Sequence, residues 1–397
     1  MLHKSAEYRT MMIQATLFAG ILIVSCSKDP TSSDAPNNAS CGVDTNFTIS
    51  LPAIDVEKYS DCRYIVAGIH GAEIIDESGN ILPSWEESTT RVPSTRGFSP
   101  TNDGGYLTSY INFVSKSSPP NEPGNGWTWF IPEYQAPHYV NDAIETSDGN
   151  YVAVGWVSGD PGTGGHNQRG QAFIARLSND GTLLWIKRFG LPNTPKDTFW
   201  EVVEADDGGI VAVGSKLEAR EFYFYDHFWF LKVDTEGNQV WSREIGTNDR
   251  YDMAFDVIRL PDGGFAATGM STINSNGDAA MRVVRISSDG GIIWNKKAGG
   301  DGWQDIGHAL ALNKNGTVLM VVGMKQITTT ESRVKLWGYN PETGSRLFTN
   351  YSFGEEYGTG SWGVTGSYDN GFVVTTNTSL MKMDSLGNCS DGVSGCW

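Results

Sequence analysis

Residues 178–190 read "SNDGTLLWIKRFG", residues 234–246 read "DTEGNQVWSREIG" and residues 287–300 read "SSDGGIIWNKKAGG". One phrase returns three times, at intervals of 56 and 53 residues. It belongs to a longer unit. "DAIETSDGNYVAVG" (142–155), "DTFWEVVEADDGGIVAVG" (197–214), "DMAFDVIRLPDGGFAATG" (252–269) and "QDIGHALALNKNGTVLMVVG" (304–323) align with one another. Each has a short run, then Asp-Gly or Asn-Gly, then an alternating run ending in Gly. Asp-Gly or Asn-Gly between alternating apolar runs signals a tight hairpin. Two such hairpins per unit give four antiparallel strands, A to D, with tight A–B and C–D turns and a looser B–C connection.

First-turn pairs fall at Asp61-Cys62, Asp103-Gly104, Asp148-Gly149, Asp207-Gly208, Asp262-Gly263, Asn315-Gly316 and Asn370-Gly371. Second-turn glycines fall at Gly79, Gly126, Gly181, Gly237, Gly290, Gly344 and Gly387. Both series count seven. Seven four-stranded units predict an all-β, seven-bladed β-propeller over residues 46–397, with no helix-period stretch. Unit 2 (about 97–140) is the shortest, is interrupted by "SSPPNEPGNG", and is the one expected to lack a regular strand. Unit 7 ends before a D strand, and "NFTISL" (46–51) is a strand without a unit. That strand is expected to complete blade 7 and close the ring.

Trp185, Trp241 and Trp294 follow the second-turn Gly by four residues, and Phe348 takes the same place. An outer strand faces water on one side, so these aromatics are read as packing between blades and not as a binding site. Asp142, Asp197, Asp252 and Asp305 recur every 55, 55 and 53 residues near the starts of A strands. They are read as axial carboxylates. A structural role, accepting backbone N–H groups, is favoured over a cation-binding ring.

The chain begins with a targeting pattern. Lys4 and Arg9 precede an apolar run, Met11 to Val24, that is short for a bilayer span. It ends in "IVSC", Ile23 to Cys26, which resembles the lipobox of bacterial lipoproteins. That resemblance implies removal of residues 1–25 and lipidation of Cys26. Residues 26–45, rich in Ser, Asp, Asn and Pro, form a flexible tether. The expected location is the cell envelope, lipid-anchored, at the outer membrane. Cys41, Cys62, Cys389 and Cys396 are disulfide candidates in such a compartment. At least one bond is expected to join the N-terminal pair to the C-terminal pair across the ring seam. Two local bonds are the alternative.

The "DGG…G…D…G…W" frame at 207–241 and 262–294 is similar to repeats of secreted bacterial β-propellers. "PETGSRLF" (341–348) and "DTEGNQVW" (234–241) resemble the tryptophan-docking motif of quinoprotein-type propellers. Those include pyrroloquinoline-quinone dehydrogenases and the lipoprotein scaffold of the outer-membrane β-barrel assembly machine. The dehydrogenases use eight blades and adjacent cysteines. Seven units and no Cys-Cys are found here, so no cofactor is expected. "SSDGGIIW" (287–294) fits the Asp-box of sialidase-like propellers, itself a structural C–D hairpin.

The formal net charge of -17 argues against nucleic acid as a partner. His70, His138, His166, His227 and His308 show no metal-ligand spacing, and no metal is expected. Gly-x-Ser-x-Gly, His-Glu-x-x-His and phosphate-loop motifs are absent from the sequence. The face opposite the tight turns carries "EFYFYDHFW" (221–229), "TNDRYD" (247–252), "GDGWQD" (300–305) and "EEYG" (355–358). Aromatics interleaved with charge suit sugar stacking or protein contact. Trp303, Tyr357, Arg250, Trp156 and Tyr225 are the candidate ligand-binding residues. The expected function is a monomeric, membrane-tethered binding or scaffold propeller for a protein or glycan. A glycan-active enzyme and an assembly-machine scaffold are the alternatives.

Overall fold

The computed structural model describes residues 48–49, 53–59, 62–68, 71–82, 97–118, 124, 126–132, 138–158, 170–190, 197–220, 223–246, 251–274, 277–300, 303–328, 331–351, 361–376 and 379–388. The leader, Cys26, the tether, Cys41, Cys389 and Cys396 lie outside the described residues.

The described residues form seven sheets of four antiparallel strands, and no helix occurs among them. Strand β1 (Thr48–Ile49) precedes blade 1, which holds β2 (Ala53–Lys58), β3 (Arg63–Gly68), β4 (Gly71–Asp76) and β5 (Ile81–Leu82). Blade 2 holds β6 (Gly97–Pro100), β7 (Tyr106–Tyr110), β8 (Phe113–Ser117) and β9 (Trp127–Phe130). Blade 3 holds β10 (His138–Glu145), β11 (Tyr151–Ser158), β12 (Gly170–Leu177) and β13 (Leu183–Phe189). Blade 4 holds β14 (Thr198–Glu204), β15 (Ile210–Arg220), β16 (Tyr223–Val233) and β17 (Gln239–Ile245). Blade 5 holds β18 (Asp252–Arg259), β19 (Phe265–Thr272), β20 (Ala279–Ile286) and β21 (Ile292–Gly299). Blade 6 holds β22 (Asp305–Leu312), β23 (Leu319–Gln326), β24 (Ser332–Tyr339) and β25 (Arg346–Tyr351). Blade 7 holds β26 (Ser361–Gly366), β27 (Phe372–Thr376) and β28 (Leu380–Met383), with β1 as its outermost strand. The pairing is antiparallel, Thr48 opposite Met381 and Ile49 opposite Leu380, so the N-terminal strand completes the last blade as expected.

Three details correct the sequence reading. Blade 2 has all four strands, only shorter, because each needs just four or five residues to pair. The first turn of blade 7 is Asp369-Asn370 rather than Asn370-Gly371, since Asn370 carries the left-handed backbone (φ 79). In blade 3 that conformation falls to Gly149 (φ 78), and in blade 1 to Cys62 (φ 64). Likewise Gly124 (φ 127), and not Gly126, is left-handed in the C–D connection of blade 2.

The core is divided among the junctions. A separate apolar cluster fills the space between each blade and the next, from Ile65, Ala67, Phe98 and Tyr106 between blades 1 and 2 to Val56, Tyr64, Val66, Ile75, Val373 and Leu380 between blades 7 and 1. Middle strands are therefore covered on both faces. Strands β19 and β20 are buried along their whole length, whereas outer β21 alternates, with Trp294 and Ala298 turned inward. The first strands pack on one another around the ring and line the axis.

The outer aromatics lock neighbours together. Trp185 Nε1 donates to the Thr235 carbonyl (3.1 Å), Trp241 Nε1 to that of Ser288 (3.1 Å) and Trp294 Nε1 to that of Pro341 (2.9 Å). Each indole lies against the second-turn glycine of the next blade, Gly237, Gly290 and Gly344 in turn. Trp127 meets Gly181 and Phe348 meets Gly387 in the same way. The seam uses charge instead. Lys382, fully buried on β28, donates to Glu77 of blade 1 and pairs with Asp369 (2.8 Å). Glu77 also accepts from the Tyr64 hydroxyl (2.5 Å) and the Tyr368 amide (3.1 Å). Cys62, beside this cluster in sequence, is disulfide-bonded.

Candidate functional site

The two faces of the ring differ in what their polar groups do. On the tight-turn face a cation from the third strand pairs with the first-turn aspartate of its own blade. The pairs are Lys116–Asp103, Arg176–Asp148 (2.6 Å), Lys232–Asp207 (2.6 Å), Arg285–Asp262 and Lys382–Asp369. Neighbouring turns are tied as well. The Asn102 amide donates to Glu145 (2.6 Å), the Ser147 amide to Glu204 (2.7 Å) and the Asn315 amide to Asn370 (2.9 Å), while Arg259 pairs with Asp206. Burial opposes ionisation of Asp148, but hydrogen bonds from Thr146, Asn150 and Arg176 outweigh it and bring its pKa down to about 2. These contacts tie the first turns to their own blades and to the neighbouring ones.

The other face carries the D–A and B–C connections. At their base sit buried ion pairs. Asp252 Oδ1 accepts from Arg282 Nη1 (2.7 Å), and Asp305 Oδ1 accepts from Lys335 Nζ (2.6 Å). Asp197 Oδ1 accepts from the Leu217 amide (2.7 Å). All three aspartates are buried. Each joins the start of a first strand to the second or third strand of its own blade.

The fourth member of the expected series stands elsewhere. Each first strand of blades 1, 3, 4, 5 and 6 contains a β-bulge. Register counted from that bulge places Asp142 beside Asp55, Glu201 and Asp256, and places His138 where Asp197, Asp252 and Asp305 stand. Burial holds the His138 imidazole below its ordinary pKa. Asp142 Oδ2 accepts from the Val202 amide of blade 4 (3.2 Å), and Asp256 Oδ2 from the Leu310 amide of blade 6 (2.7 Å). These carboxylates stitch first strand to first strand around the axis.

Of the candidate ligand residues, Trp303 is 37% exposed and Tyr225 is half-buried, 6.2 Å from Tyr251 between ring centroids. Trp156 is a correction. It is fully buried and stacked on Tyr139 (5.3 Å), because β11 is a middle strand covered on both faces. Arg250 and Tyr357 lie outside the described residues. The sequence reading passed over the third-strand cations, although each stands two residues before the residue that opens the second turn, as in Arg176-Leu177-Ser178 and Lys382-Met383-Asp384.

The loop face is uneven. Strands β15 and β16 of blade 4 run 11 residues each, against at most 8 in every other blade. Their outer halves, Lys216 to Arg220 and Tyr223 to His227, project as a hairpin beyond the ring.

No protein-family model matches the chain, and no curated protein matches it in sequence. Solved structures do. A streptogramin B lyase superposes with a TM-score of 0.53 at 14% identity, over 85% of this chain and 95% of that one. The WD40 domain of Neurospora crassa Pan2 gives 0.53 at 10% identity, over 84% and 93%. Identities this low speak for the shared propeller fold alone.

Proposed function

We propose that the chain is a lipid-anchored binding or scaffold propeller of the bacterial outer membrane, and that its loop face recognises a protein or a glycan. Residues 1–25 are then the leader, Cys26 the lipidated residue, 26–45 the tether and 46–397 the propeller. The observation that carries this reading is the blade 4 hairpin. Three extra residues per strand, at about 3.3–3.4 Å each, lift it roughly 10 Å from the ring. It bears an aromatic, Tyr225, beside Tyr251 of blade 5. Tyrosine offers a wide apolar surface and a polar tip, which suits both sugar stacking and protein contact. On the tight-turn face the first-turn aspartates of five blades are paired with third-strand cations, whereas the blade 4 hairpin on the loop face stands clear of the ring.

The test is thermal unfolding of the full chain in detergent against a panel of oligosaccharides, with Tyr225→Ala and Trp303→Ala beside it. A shift of several degrees with one sugar class, lost in the variants, supports glycan recognition. No shift, with a protein co-purifying from membranes and released by the same variants, supports the protein-binding form. No shift with any sugar and no partner released by the variants would overturn the proposal.

A further inference from the structure

At the root of the blade 4 hairpin, His227 and Glu218 project from the same face of the β15–β16 pair. His227 is 8% exposed, and its Nε2 makes no hydrogen bond. Glu218 Oε2 stands 3.5 Å from that nitrogen. On the other side of the imidazole, Glu244 Oε2 of β17 in the same blade is 4.0 Å from Nδ1. We propose that His227 Nε2 and Glu218 bind a divalent transition-metal cation of the Zn2+ class at this point.

The geometry separates this from a simple hydrogen-bonded pair. A nitrogen and an oxygen sharing a hydrogen bond close to about 2.7–3.2 Å. Two donors at about 2.0–2.2 Å from one tetrahedral ion lie about 3.4 Å apart. The observed gap fits the second arrangement. A buried imidazole nitrogen without a hydrogen bond carries an uncompensated desolvation cost, and coordination would relieve it. Glu244 completes the pattern. With the ion on Nε2 the imidazole proton sits on Nδ1, on the side that Glu244 faces, as in histidines backed by a carboxylate at metal sites. Lys216, on the same face of the pair, is engaged with Glu244 and lies 5.6 Å from the centre of the Trp229 ring. Among the described residues no three His, Cys, Asp or Glu side chains converge on one point. The described residues thus supply two ligands, and the further positions of the ion go to water or to a donor atom of whatever the loop face binds. Imidazole with carboxylate suits Zn2+ better than Ca2+ or Mg2+, which prefer all-oxygen shells.

The experiment is calorimetric titration of Zn2+ into the full chain in detergent, with Mg2+ as the control ion, for the native protein and for Glu218→Gln, His227→Gln and Glu244→Gln. The expected result is saturable binding of Zn2+ in the native protein that weakens at least about tenfold in Glu218→Gln and His227→Gln. Glu244→Gln should weaken it about 10–100-fold, as loss of an orienting carboxylate does. Glu218 is about a third exposed, so its Gln variant keeps the fold even if His227→Gln does not. No Zn2+ binding by the native protein, or an unchanged isotherm in Glu218→Gln, overturns the assignment.

Discussion

The indole of Trp241 in blade 4 lies against Gly290 in blade 5 so closely that a Cβ on the glycine would stand 2.9 Å from Trp241 Cδ2. The same indole donates to the carbonyl of Ser288, two residues earlier (3.1 Å). One side chain thus reads both the shape and the polarity of the next blade's turn. Trp241→Ala should destabilise the protein by about 3–5 kcal/mol through lost burial. Trp241→Phe, which keeps most of the volume, should cost about 1 kcal/mol for the hydrogen bond. Gly290→Ala should be damaging for two reasons, the contact and the left-handed backbone (φ 82). Denaturant unfolding of the three variants checks the order.

The seam should be sensitive to unbalanced charge. Lys382→Met leaves Glu77 and Asp369 without their buried cation, and should cost about 3–5 kcal/mol. The double variant Lys382→Met, Glu77→Gln should recover part of that loss, because the carboxylate left behind in the interior is removed. Equal stability of the single and double variants in urea would show that the cluster does not couple blades 7 and 1.

Acid should loosen the tight-turn face. Asp103, Asp148, Asp207 and Asp369 are all held below the ordinary carboxylate range. For Asp207 the leading cause is the hydrogen bond from Lys232. For the other three, burial is the largest effect and opposes ionisation, but hydrogen bonds and charge outweigh it. A depressed folded-state pKa contributes stability above the unfolded value, near about 3.9, and loses it as pH falls through the folded value. Stability should therefore be insensitive to these groups above about pH 5 and fall between about pH 4 and pH 2. For Asp148 the decline should continue to about 2. Asp148→Asn should flatten that part of the pH profile.

Cys62 combines a disulfide with a backbone conformation that costs a side chain about 1–2 kcal/mol. Cys62→Ala should lose about 2–4 kcal/mol with the bond. Cys62→Gly should lose about 1 kcal/mol less, since glycine accepts that φ freely. Non-reducing peptide mapping should find Cys62 joined to Cys389 or Cys396. A bond to Cys41 would mean that the seam is held by strand pairing and the Lys382 cluster alone.

The turns made this fold readable. Alternating apolar runs between regularly spaced glycines fixed the number of blades, the strand order and the closing strand. Where the reading slipped, one residue took an unusual backbone role. Asn370 adopts the conformation usually left to glycine, so the blade 7 turn moved by one position. Asp142 was misaligned because blade 3 is longer than blade 4, while the bulge falls at the same register in both first strands. Asp142 matches Glu201 at an interval of 59, while a search for 55 lands on Asp197. Trp156 looked exposed because it follows the alternating run, yet β11 continues past it and blade 3 covers it. The His227 and Glu218 juxtaposition was not visible as a motif, because the strand pairing, and not the spacing along the chain, brings them together.

The central claim is that recognition occurs on the loop face. A photo-reactive residue placed at Tyr225 on the blade 4 hairpin, and in a second protein at Thr235 in a tight turn, tests it directly in intact cells. Cross-linking of one protein or glycan species from position 225, and none from position 235, is the predicted result. Cross-links that arise from position 235 alone would contradict the account and assign binding to the tight-turn face.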